Sequence, residues 1–159
     1  IASCLVGSEM CIRDRALLAS VIAEVSGADK YIEKYRNSSK GNILKSIGKY
    51  YFLQKDSTQS DWAIKVFKKI SPGEKIDMIK TMSNIMSVSS DKGQLELMNY
   101  FHKTGVESDD MYTRYACYRV LHAEDSIEGV RELRQDLISK EGSSFLLGIY
   151  KGWEGSLGL

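Results

Sequence analysis

The spacing of helix-start signals constrains this chain more than any other feature. Ser57, Ser71, Ser90, Ser108, Asp125 and Ser143 each stand before an apolar segment, at steps of 14, 19, 18, 17 and 18 residues. A short side-chain oxygen at such a position accepts a hydrogen bond from an otherwise orphaned amide of the first helical turn. Alternate starts fall 33, 37, 35 and 35 residues apart. That is the length of one helical pair in tetratricopeptide, HEAT or armadillo-type arrays. A pair of this size cannot bury its apolar side alone and must stack on its neighbour.

The segments between the starts carry helical periodicity. Ile43, Leu44, Ile47, Tyr50 and Tyr51 lie on one face of a 3.6-residue repeat, as do Trp62, Ala63, Val66, Phe67 and Ile70. The pattern recurs at Ile76, Ile79, Met82, Ile85 and Met86, at Leu97, Met98 and Phe101, and at Met111, Tyr112, Tyr115 and Ala116. It closes with Ile127, Val130, Leu133, Leu137 and Ile138, then Phe145, Leu146, Ile149, Tyr150 and Trp153. No segment alternates strictly with β-branched enrichment, so strands are not expected. Ser71-Pro72-Gly73-Glu74 predicts a capping box with proline at the first helical position, and Asp125-Ser126-Ile127-Glu128 repeats the logic. Gly27, Gly105 and Gly142 are the expected helix stops.

These signals predict an all-α chain folded as an α-solenoid of HEAT-like antiparallel helix pairs, about 35 residues per pair. A tetratricopeptide array would need Trp-x-x-Leu-Gly-x-x-Tyr and a closing proline in each repeat, whereas Pro72 is the single proline. The competing architecture is a helical bundle, in which all helices converge on one centre. The even apolar load from helix to helix favours stacking.

The expected domain is residues 16–159. Leu5 to Asp14 read LVGSEMCIRD, which is similar to a reading frame through a transposon-based sequencing adapter, with Cys4 and Arg15 at its edges. Residues 1–15 are therefore expected to be an artefact rather than natural protein, and the remainder a fragment of a larger one. Without them 144 residues remain, one domain's worth, with 20 basic against 19 acidic side chains. A near-neutral chain offers no basic stripe, so neither a nucleic-acid nor a membrane-surface partner is expected. Lys65, Lys68 and Lys69 form the densest cationic cluster and read as a solvated helix face. Cys117, the one cysteine outside residues 1–15, reads as a small core residue.

Catalytic chemistry is not legible. There is no His-Glu-x-x-His and no phosphate loop. His122-Ala123-Glu124 resembles the His-x-Glu of zinc deaminases, but no Pro-Cys-x-x-Cys follows. His102 and His122 are expected near helix ends, and Asp109-Asp110 and Glu124-Asp125 at helix starts, where their charges suit the backbone dipole. Arg114 with Tyr118, and Tyr115 with Arg119, are four apart and could pair along one helix. No catalytic, cofactor-binding or metal-ligating residue is assigned.

Three segments carry a family resemblance. Ala28-Asp29-Lys30-Tyr31-Ile32-Glu33-Lys34-Tyr35, Ser60-Asp61-Trp62-Ala63-Ile64-Lys65-Val66-Phe67 and Met111-Tyr112-Thr113-Arg114-Tyr115-Ala116 resemble helix openings in the C-terminal helical region of zinc aminopeptidases of the aminopeptidase N family. The resemblance implies that the parent hydrolyses N-terminal amino acids from peptides. Its single zinc would be held by His-Glu-x-x-His and a further Glu in a catalytic domain upstream. It implies no cofactor in this segment, with the parent's catalytic domain as partner and its peptide as substrate. The segment's own role would be to close over the catalytic domain and restrict peptide access. The alternative is a free-standing HEAT-like or tetratricopeptide-like scaffold that binds a protein. Such a scaffold should end in polar caps, whereas this chain ends on Phe145, Leu146, Leu147, Ile149, Tyr150, Trp153 and Leu157.

Overall fold

The computed structural model describes residues 28–38 and 40–156. Over these residues it is all-helical, with eight helices and no strand. They are α1 (Ala28–Tyr35), α2 (Gly41–Leu53), α3 (Ser60–Lys69), α4 (Pro72–Val88), α5 (Asp91–Glu107), α6 (Met111–Ala123), α7 (Val130–Lys140) and α8 (Ser144–Ser156). The adapter-like segment, Gly27 and Leu157 lie outside the described residues.

α2, α3 and α5 bury the stripes their periodicity marks, whereas Met111 and Tyr112 of α6 and Phe145 and Trp153 of α8 are exposed. Leu44, Ile47 and Tyr51 of α2 are buried, as are Trp62, Ala63, Val66 and Phe67 of α3. Met78, Met82, Ile85 and Met86 supply α4, and Leu97, Met98 and Phe101 supply α5. The packing follows a rule of alternation: α4 lies between α2 and α6, and α5 lies between α3 and α7. Contacts between consecutive helices, strongest for α5 with α6, join the two series. α8 extends the first series, since Tyr150 stacks on Tyr118 of α6 with ring centroids 4.0 Å apart.

Two close approaches require glycine. A β-carbon on Gly48 of α2 would lie 2.1 Å from Thr81 Cγ2 of α4, and one on Gly105 of α5 would lie 2.5 Å from Leu137 Cδ1 of α7. Gly105 is therefore not the expected helix stop. It sits within α5, buried, because the neighbouring helix leaves no room for a side chain. Gly142 does follow the end of α7.

The helix starts repay individual reading. Glu74 Oε2 accepts from the Ser71 backbone N–H at 3.4 Å and from the Ser71 hydroxyl at 3.1 Å, so the capping box forms. The other carboxylate oxygen accepts from the Gly41 N–H at 3.2 Å, so Glu74 secures the first turns of α4 and α2 together. Ser90 accepts from Gly93 N–H, and Ser143 from Leu146 N–H, as expected. Three starts differ. α3 begins after Gln59, because Asp56 draws Thr58 and Gln59 into a turn that delays the helix beyond Ser57. Ser108 ends α5, and Asp110 caps α6 by accepting from Thr113 N–H at 2.5 Å. α7 begins after Gly129, at φ 82°, rather than after Asp125, whose carboxylate is taken by arginines. A positive φ there admits glycine at little cost.

Candidate functional site

The densest polar chemistry lies where α6, α7 and α8 meet. Val130, Arg134 and Leu137 occupy one face of α7, so helical phase turns an arginine into the core. Arg134 is 0% exposed. Its Nη1 donates to Asp125 Oδ1 at 2.5 Å and its Nη2 to Glu154 Oε2 at 3.1 Å, while Nε lies 2.8 Å from Glu154 Oε1. Tyr118 donates to the same Glu154 at 3.0 Å. The guanidinium fork thus holds the α6–α7 connection with one carboxylate and α8 with the other. Charge-assisted hydrogen bonds of this kind are about twice as strong as neutral ones.

The titration behaviour follows from these contacts. Burial alone would lower the Arg134 pKa, but the hydrogen bonds from Asp125 and Glu154 outweigh it and the value rises. Arg134 in turn holds the Asp125 carboxyl below its usual range. Burial, reinforced by Glu154, pushes the Tyr118 hydroxyl up. All three groups are locked in one protonation state near neutrality. Through these contacts the cluster ties the α6–α7 connection to α8 as a clasp.

His122 stands beside it, in the last turn of α6, as expected. Its ring meets Trp153 edge-on at 5.4 Å, and burial depresses its pKa below 6.5, helped by the positive charges of Arg134 and Arg119. Arg119 lies 3.6 Å over the Trp153 ring. The expected pairings along α6 therefore do not form. Arg119 prefers the indole of α8, and Arg114 reaches Glu141 at 3.0 Å beyond α7. Partners on neighbouring helices replace the i,i+4 neighbours because α6 is packed on both sides. Glu124-Asp125 likewise follows α6 instead of opening a helix, whereas Asp110 does cap one.

His102 departs from its expected place near a helix end. It lies within α5, with Nε2 2.6 Å from Asp136 Oδ2 of α7, and Lys140 Nζ binds the same oxygen at 2.6 Å. A His–Asp pair orients a catalytic base when a nucleophile stands on the other ring nitrogen. Among the described residues no hydroxyl or thiol is hydrogen-bonded to this ring, and no group of three His, Cys, Asp or Glu side chains is placed to hold a metal. No described helix is long and apolar enough to cross a membrane.

Four large apolar side chains on α6 and α8 are exposed. Met111 and Tyr112 open α6, Phe145 opens α8 and Trp153 lies near its end, and all four are exposed, Phe145 most at 63%. Sequence periodicity placed Phe145 and Trp153 on the buried stripe of α8, but Leu146 and Tyr150 are the pair that face the core. The chain matches no known protein-family model, and no curated protein or solved structure is similar to it.

Proposed function

We propose that this chain is a non-catalytic HEAT-like helical array whose work is to present a surface to another protein domain. The placing of α4 between α2 and α6 and of α5 between α3 and α7, with consecutive helices such as α5 and α6 also packed together, supports this reading. The exposed side chains of α6 and α8 supply the surface. Exposed apolar side chains that gather into one patch mark sites of contact between protein surfaces.

The occupant we favour is the catalytic domain of a zinc aminopeptidase in the same parent chain, with the array limiting peptide access. Support comes from the three resembling segments. Ala28–Tyr35 forms a short helix, Ser60-Asp61-Trp62 opens α3, and Met111-Tyr112-Thr113-Arg114-Tyr115 opens α6. A free-standing scaffold is the second reading. Sequencing outward from Ala16 in the source DNA tests the choice. A continuous frame carrying His-Glu-x-x-His upstream supports the aminopeptidase. A frame with only further helical pairs, or a nearby start codon, refutes it and leaves the scaffold.

A further inference from the structure

A second feature lies at the other end of the array and is independent of that reading. A cleft of about 200 Å³ opens between the α1–α2 connection, the α2–α3 connection and the flank of α3. Arg36, Asn37 and Ser38 form one wall, and Lys65 and Lys69, one helical turn apart, form the other. Among the described lining residues Asp61 is the single acid, against three cations. Lys65 and Lys69 have no ion-pair or hydrogen-bond partner among the described residues. Other cations do find carboxylates, as in Lys45–Asp77, Arg114–Glu141 and Arg131–Asp125, although Lys49, Lys80 and Lys151 are likewise without one among the described residues. The lysine cluster that reads as a plain solvated face in the sequence is therefore partly turned into a concavity.

The walls are held before any ligand arrives. Trp62, at 5% exposed, lines the cleft and donates from Nε1 to the Arg36 carbonyl at 2.8 Å, fixing the connection that carries the guanidinium. On the opposite connection Asp56 accepts from Thr58 N–H, the Thr58 hydroxyl and Gln59 Nε2 at 3.0, 2.7 and 2.9 Å. Gln59 Oε1 faces Arg36 Nη2 at 3.5 Å, and Glu33 approaches Arg36 at 3.6 Å from a largely exposed position. Both contacts are long, which leaves much of the guanidinium's donor capacity unspent.

We propose that this cleft binds a phosphate monoester, with Arg36, Lys65 and Lys69 neutralising its dianion. An arginine fork and two flexible ammonium groups match the three terminal oxygens of a phosphate monoester. The size of the cleft suits one phosphate group rather than the length of a polynucleotide backbone. Titration calorimetry of the whole chain with O-phosphoserine and, separately, inorganic phosphate tests the assignment, with sulfate as a control. Saturable binding at pH 7.5 is expected. It should weaken at least tenfold in the Lys65→Gln/Lys69→Gln variant, whose exposed sites leave the thermal midpoint unchanged, and weaken again at pH 5, where the dianion is protonated. Tighter binding of phosphoserine would assign the site to an esterified phosphate, and equal binding would assign it to the free ion as well. Absence of saturable binding by either probe, binding undiminished in the variant, or sulfate binding equal to both would overturn the proposal.

Discussion

Arg134→Met removes the clasp at its centre while keeping a long side chain in the core. The arginine is fully buried, and its two carboxylate partners, Asp125 and Glu154, are 22% and 17% exposed. Removing one member of a buried ion pair costs about 3–5 kcal/mol, because the remaining charge stays desolvated without compensation. Partial exposure of both carboxylates relieves some of that, so the expected loss is about 3 kcal/mol. For a chain of this size each kcal/mol moves the thermal midpoint by about 2–4 °C, a total of roughly 6–12 °C. Urea unfolding followed by circular dichroism measures the loss. Hydrogen exchange should show α8 released first, because Glu154 is its main polar tether. Adding Asp125→Asn and Glu154→Gln to Arg134→Met should restore most of the stability, since no buried charge then lacks a partner. A loss below about 1 kcal/mol in the single variant, or no recovery in the triple one, would refute the clasp.

Further perturbations address other parts of the structure. Gly105→Ala should destabilise by about 1–3 kcal/mol despite alanine's better helix propensity, because its β-carbon meets Leu137 and Cys117; thermal denaturation should show recovery when Leu137→Ala is added. Glu74→Ala should cost about 1–2 kcal/mol in urea unfolding and more than Ser71→Ala, because only Glu74 also caps α2. Burial depresses His122, so the unfolded chain binds the extra proton first, and that stability is complete above about pH 6.5 and is lost as pH falls from there through the lower folded value. Stability measured from pH 8 to pH 5 should therefore decline less in His122→Gln than in the native chain. Burial pushes the Cys117 thiol up to about 12, so a thiol reagent should react with it only after unfolding, whereas reaction of the native chain would contradict its burial.

Helical class and most core positions were legible because a 3.6-residue period survives whatever the tertiary partners are. Trp62, Phe67, Met82 and Leu97 are buried as their phase requires. Starts governed by one local side chain, Ser71, Ser90 and Ser143, were equally legible. Asp125 was not, because a capping residue and an ion-pair partner look the same until Arg134 arrives from α7. The period did contain a signal for Arg134, since it lies four residues after Val130 and three before Leu137. Charge argued the other way, because arginine is seldom fully buried unless paired. The cleft was hidden for a different reason: Arg36 and Lys65 are far apart in sequence, and only the two connections bring them together.

The central claim is that the helices stack in sequence instead of gathering around one centre. Spin labels at Lys49 of α2 and Lys151 of α8, both exposed, measure this by pulsed electron resonance. Three steps along the series α2, α4, α6 and α8, at 8–10 Å between axes, give a separation of about 24–30 Å between the outer helices. A distance distribution centred near that range is the result the account predicts. A distribution centred below about 15 Å, the spacing of neighbours within one bundle, would contradict it.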